Sequence, residues 1–156
     1  MDRLTEHYRQ LLQLDQNWQV DAVRLLLEEK RLEIDLRHQG KEPVICAQCG
    51  ARCGIADHAP ERSWRHLDTM QFETRLRARV PRSKCGQCGV KTVAVPWAEK
   101  HSRFTLMFEA FVIQVLLAAS NLKRAGELLG VDWESLQRIM EQAVKRGEAR
   151  LSLIHI

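Results

Sequence analysis

Two Cys-x-x-Cys-Gly knuckles constrain this chain more than any other feature: "CAQCG" at 46–50 and "CGQCG" at 85–89. In such a knuckle two thiolates can reach one metal, and the glycine permits the tight turn that follows. Two knuckles supply four thiolates, the closed tetrahedral set that suits structural zinc. Cys46, Cys49, Cys85 and Cys88 are therefore the expected ligands of one structural Zn2+. The segment between the knuckles exceeds the roughly 15–20 residues of the common zinc-ribbon spacing. It carries its own hairpin pattern, however, which lets the knuckles meet. With four protein ligands no position stays open for water or substrate, so hydrolysis at this metal is excluded. Cys53 adds a fifth thiol in "CAQCGARC", and His58 and His66 offer nitrogens. A free, partly buried Cys53 is the simpler reading. A redox dithiol or a rubredoxin-like iron site is the rival for the whole cluster, and no βαβ pattern supports a thioredoxin-type motif.

An odd number of cysteines argues against a disulfide framework, and "MDRLTEHYRQLL" has charges of both signs and no apolar run of the kind a signal peptide needs. The expected setting is reducing cytosol. The length of 156 residues allows one domain or two small ones. The net charge of +4 is unevenly spread. Residues 62–104 carry ten Lys and Arg against three Asp and Glu, whereas residues 105–150 balance six against six. Such a basic middle suggests a polyanionic partner, with a solvated charged surface as the plainer alternative.

Residues 2–14 read as a short helix with Leu4, Tyr8, Leu11 and Leu12 on one stripe. From Trp18 an imperfect alternation, an interruption at 28–30 and the clean alternation of "RLEIDLRH" predict a β-hairpin. Phe72 to Val80 alternates again, placing Arg75, Arg77 and Arg79 on one strand face and apolar side chains on the other. Those three arginines, with Arg82 and Lys84, are the expected phosphate contacts of the β module. Pro81 is expected to stop that ladder, and "VKTVAVPWA" reads as a last short strand closed by Pro96. "RFTLMFEAFVIQVLLAAS" is apolar nearly all round, but it is shorter than the roughly 20 residues of a membrane span and contains Glu109. A buried helix is expected there, with some apolar surface left exposed over 104–119.

"LKRAGELLGVDWESLQRIM" has the spacing of a helix-turn-helix. The small Gly126 would let two helices approach, Gly130 would turn the chain, and Leu136 and Ile139 would pack back. Asp132 is placed to cap the second helix. Trp133, Glu134, Ser135, Gln137 and Arg138 would then enter the major groove, while Lys123 and Arg124 meet phosphate. An ordinary helical hairpin would show the same glycines and aliphatics.

The run "CAQCG…RSWRHLD…RVPRSKCGQCGVKTVAVPWAEKHSRFT" followed by the helix-turn-helix resembles the N-terminal part of the ISL-three family of bacterial insertion-sequence transposases. The resemblance covers about residues 8–150 and is most specific at Trp64–Asp68, Val80–Val90 and Val95–Thr105. It implies zinc on Cys46, Cys49, Cys85 and Cys88, and an RNase-H-like catalytic domain with a metal-binding acidic triad after the helix-turn-helix. The family's common proline after the first cysteine of each knuckle is Ala47 and Gly86 here. The chain stops where that catalytic domain would begin, so no triad residue is assigned. The last six residues, "LSLIHI", match the translation of CTG TCT CTT ATA CAC ATC, a sequencing-adapter end, and are expected to be non-native.

The expected fold is α+β. A short N-terminal helix (1–17) precedes a zinc-ribbon-like antiparallel β module (18–98) and an all-helical helix-turn-helix region (99–150), with the foreign tail at 151–156. The expected function is recognition of the terminal inverted repeats of an insertion sequence by a DNA-binding piece of a transposase that does not itself cut. Its partners would be double-stranded DNA at the element ends, the missing catalytic domain and, in some assemblies, a second copy of itself, with no membrane. Its place would be the bacterial cytoplasm, at the nucleoid. A zinc-ribbon transcription regulator and a structural zinc module for protein interaction are the readings from other classes.

Overall fold

The structure is a computed structural model that describes the backbone of residues 2–154 and the side chains of residues 2–147. Of the tail at 151–156, the side chains and all of residues 155 and 156 lie outside the described residues. Helix α1 (Arg3–Leu11) starts on Asp2, whose carboxylate accepts the Leu4 N–H. It delivers Leu12 and Leu14 to a buried cluster. Eight strands follow: β1 (Trp18–Leu26), β2 (Arg31–His38), β3 (Val44–Ile45), β4 (Arg52–His58), β5 (Arg62–Thr69), β6 (Phe72–Ala78), β7 (Pro81–Cys85) and β8 (Gly89–Thr92). Helices α2 (Leu106–Ala118), α3 (Leu122–Leu129) and α4 (Trp133–Ile154) complete the chain. The class is α+β.

The strands form two four-stranded sheets, ordered β1-β2-β6-β5 and β3-β4-β7-β8. Pairings are antiparallel except β2 with β6, which run parallel with Ile34 opposite Leu76 and Leu36 opposite Ala78. Alternation dictates which face of each strand is apolar, but it is silent on which strand lies beside which. The first sheet's apolar face holds the main core. There Trp97 meets Trp18 and Trp64 edge-to-face, with centroids 4.6 and 5.2 Å apart.

Two strand readings need correction. Pro81 ends the β6 segment but opens β7, pairing with His58 of β4. A proline at the first position of a strand gives up no ladder hydrogen bond that its neighbour requires. The final ladder stops at Thr92 rather than running to Pro96. Val93 and Val95 are apolar because they pack against the tryptophan cluster, not because they pair in a sheet.

One compact unit ends at Leu106 and a second begins at Met107. Within the second, Phe108, Val112 and Leu116 are buried along α2, and the carboxylate of buried Glu109 lies 3.6 Å from the Arg146 guanidinium. Phe111 and Leu117 on the same helix are exposed, the latter by 83%. Among the described residues, no helix is long and apolar enough to cross a membrane.

Candidate metal centre and nucleic-acid interface

The four knuckle sulfurs converge. Cys46 precedes its turn at the end of β3, Cys85 ends β7, and Cys49 and Cys88 lie in the turns that follow. Their Sγ atoms all fall within 4.8 Å of one another, and Cys49 and Cys85 stand 3.6 Å apart. A metal with bonds of about 2.3 Å to four tetrahedral sulfurs would separate them by about 3.8 Å, so the donor set fits zinc in number, chemistry and spacing. All five cysteines are free. Gly50 and Gly89 close the two knuckles at φ +76°, a conformation that only glycine adopts without strain.

The knuckles also prepare the sulfurs. The backbone N–H groups of Cys49 and Gln48 lower the Cys46 thiol, and those of Cys88 and Gln87 bring the Cys85 thiol down to about 6. Hydrogen bonding that favours the thiolate is what metal binding requires. The Cys88 thiol is pushed up to about 12, first by its bond to Cys49 and then by burial. Four thiols packed together cannot all ionise without a cation among them.

Cys53 is buried beside the cluster but is not one of the four converging sulfurs, and its thiol donates to the Ala51 carbonyl at 3.3 Å. His58 is exposed and outside the cluster. His66 is engaged elsewhere, with Nδ1 2.8 Å from Thr105 Oγ1. Burial pushes His66 down to about 4. The imidazole is therefore neutral in the fold and protonates earlier in the unfolded chain. Its stabilising contribution is complete above pH 6.5 and falls as pH drops toward 4, by about 3 kcal/mol in total. Urea unfolding followed by tryptophan fluorescence between pH 4.5 and 8 should show a shallower acid loss for His66→Gln than for the parent. Identical pH slopes would contradict this.

The arginine row is largely committed to carboxylates. Arg77 reaches Glu33 and Glu61, each at 2.6 Å, and its guanidinium is held well above its ordinary value by those two bonds. Glu33, only 10% exposed in its side chain, also receives Arg24 at 2.8 Å. Arg75 donates to Glu73 at 2.7 Å, and Arg82 forks onto Asp57. Arg79 lies past the end of β6 and donates to the carbonyls of Ala59 and His58. Lys84 is exposed and makes no ion pair among the described residues. Sequence reading missed Glu33 and Glu61 as partners, because only the parallel β2–β6 pairing brings Glu33 across from this row.

The helical pair is built as its glycines imply. Asn121 accepts the Arg124 N–H at 3.0 Å to start α3, and Gly130 ends it at φ +68°. A Cβ on Gly126 would lie 2.5 Å from Leu136 Cδ1 and 3.2 Å from the Val131 carbonyl oxygen. Leu136 and Ile139 are buried. Asp132 caps α4, accepting the Ser135 N–H at 3.1 Å and the Ser135 hydroxyl at 2.6 Å. Ser135 therefore departs from expectation. It is 1% exposed and turned into the cap rather than outward. Asp132 at the cap with a serine three residues on was the signal for that. Trp133, Glu134, Gln137 and Arg138 do face outward, as do Lys123 and Arg124. Trp133 is 49% exposed and is not a core residue.

A four-cysteine β module followed by a capped, glycine-turned helix pair defines a zinc-ribbon and helix-turn-helix protein. The comparisons give the class its family. The zinc-finger model of transposase IS204/IS1001/IS1096/IS1165 matches residues 42–88, and the helix-turn-helix model of transposase family ISL3 matches residues 93–144. The chain belongs to transposase family ISL3. It is 33% identical over 107 residues to the transposase for insertion sequence element IS1557 of Mycobacterium tuberculosis, covering 68% of this chain and 24% of that protein. It is 29% identical over 110 residues to the transposase for IS1001 of Bordetella parapertussis, covering 69% and 26%. The chain thus spans about a quarter of the length of the curated relatives it matches. No solved structure matches it.

Proposed function

We propose that the chain is the DNA-recognition part of an insertion-sequence transposase and binds the terminal inverted repeats of its element. The observation that carries this is the start of α4, where Asp132 and Ser135 lock the cap while Trp133, Glu134, Gln137 and Arg138 face outward. The early residues of a second helix held in this way read base edges in the major groove. Lys123 and Arg124, at the start of α3, lie on phosphate. One structural Zn2+ on Cys46, Cys49, Cys85 and Cys88 holds the β module as a second contact. This part binds and does not cut. Metal-dependent strand cleavage and transfer belong to the catalytic part of the parent protein, which the bound repeats position. The work is done in the bacterial cytoplasm, at the nucleoid.

The test is affinity for duplexes carrying the terminal repeats of the chain's own element against shuffled duplexes of the same composition. A preference of about a thousandfold or more is expected of specific recognition. Equal affinities would sink repeat recognition while leaving general DNA binding in place. A protein-docking role is favoured by one observation, the exposure of Phe111, Leu117 and Leu128. It would be supported by a chain that takes up zinc yet ignores DNA at low salt.

A further inference from the structure

The sequence places ten basic residues over 62–104, but the structure shows that they are not equally available. Arg65, Arg75, Arg77 and Arg82 each hold a carboxylate, and Arg62 and Arg79 donate to main-chain carbonyls. Among the described residues, Lys84, Lys91 and Lys100 of this stretch are exposed and make no ion pair, and Lys84 lies beside a knuckle together with Arg52. The register of the second sheet sets Ile45 opposite Arg52, Gly54 opposite Lys84, and Lys84 opposite Val90. Residues directly opposite share a face, as do residues two apart on one strand. One face therefore carries Arg52, Lys84, Ile45, Val90 and Thr92, with Arg82 and its partner Asp57 at its far end, while Cys53, Ser83 and Cys85 line the other, buried face.

This outer face has two marks of an interface. Arg52 and Lys84 are exposed, and neither makes an ion pair among the described residues. Glu42, whose carboxylate lies against Gly54 on this face, accepts the Ile55 N–H at 2.7 Å and pairs with neither cation. Beside the cations, Ile45 and Val90 are 52% and 49% exposed. Aliphatic side chains standing among cations on an exposed sheet face are not needed for solvation, and neither belongs to a buried cluster among the described residues. The sheet ends on the β7–β8 hairpin, and every residue of its edge strand β8 is exposed. Because β7 also pairs with β4, it is the exposed β8 edge of this four-stranded sheet, not the whole of it, that a major groove about 12 Å wide can admit.

We propose that the zinc module meets duplex DNA through this outer face. Arg52 and Lys84 lie on phosphates and the β8 edge turns Val90 and Thr92 toward the groove. The Arg75–Arg77 row of the other sheet stays with its carboxylates. The proposal rests on the DNA-binding reading above and says which side of the module does the binding. It also separates two uses of these cations, because a zinc held by four thiolates carries a net charge of −2 that nearby lysine and arginine could balance instead.

The experiment is the salt dependence of binding to a mixed-sequence duplex by the full chain, by Arg52→Gln/Lys84→Gln and by Arg75→Gln, with zinc content measured for each. Each lost phosphate contact lowers the slope of log Kobs against log salt by about 0.9. The double variant should keep its zinc and lose about 1.8 from the slope. Between 50 and 200 mM salt the parent then loses about tenfold more affinity than the variant. Arg75→Gln should leave the slope unchanged. An unchanged slope in the double variant with the parent still binding overturns this face and leaves the DNA-binding reading standing. A matching loss in Arg75→Gln returns the contact to the β6 row and overturns it too. Loss of zinc from the double variant assigns the two cations to the metal site. A parent that ignores DNA at low salt overturns both the face and the reading beneath it.

Discussion

Replacing Cys85 by serine should remove the metal and, with it, the fold of the β3-β4-β7-β8 sheet. The apolar cluster at that end of the molecule consists of cysteines: Cys46, Cys53 and Cys85, with Cys88 packed against them. A sheet without its own aliphatic core cannot offset the conformational entropy of its strands. For modules of this kind the metal-binding free energy, about 10–16 kcal/mol, is in effect the folding free energy. The first sheet is different, because Trp18, Ile34, Trp64, Leu76 and Trp97 give it a core in which no cysteine takes part. The expected result is therefore local. Zinc should fall from one equivalent per chain to none, and amide protection should vanish over β4, β7 and β8. The tryptophan fluorescence of the first sheet should stay native. A Cys85→Ser chain that keeps its zinc and its protection would contradict the four-thiolate site. Loss of tryptophan burial as well would show that the two sheets fold as one.

The second large effect lies in the helical unit and turns on two glycines. A Cβ at Gly126 meets Leu136 Cδ1 at 2.5 Å and the Val131 carbonyl oxygen at 3.2 Å, and of these only the leucine terminus can move. Gly126→Val should push α3 and α4 apart at a cost of about 3 kcal/mol, the upper end for overpacking. In so small a unit that is a large part of the total stability. Gly147, also helical, meets nothing within 4 Å, so Gly147→Ala should stabilise α4 by up to about 1 kcal/mol. Opposite signs for these two changes in urea unfolding of the helical unit would identify the close approach. Equal, small effects would mean that the helices do not pack as described.

Much of this was legible in the sequence because the decisive residues act through local spacing. Four cysteines at knuckle spacing, the period-two runs of β2 and β6, and Gly126, Gly130 and Asp132 at their offsets need no knowledge of distant neighbours. What escaped depends on pairing across the fold. The three arginines of "RLRAR" look like a phosphate row until Glu33 and Glu61 are found on them, and Glu33 arrives there through a parallel pairing that alternation cannot encode. Pro81 looked like a strand end because it ends one ladder, though it begins the next. Ser135 has the right offset for a base-reading side chain and the right chemistry for a cap, and the cap takes it.

The central claim is that a zinc-held β module and a helix-turn-helix together bind DNA, and it meets its most direct test in DNA affinity across a salt series, with and without a zinc chelator. Binding should weaken steeply as salt rises, with a shallower slope and lower affinity once the metal is removed and the helical pair alone is left to contact DNA. A chain whose affinity and salt slope are the same with and without zinc would contradict it.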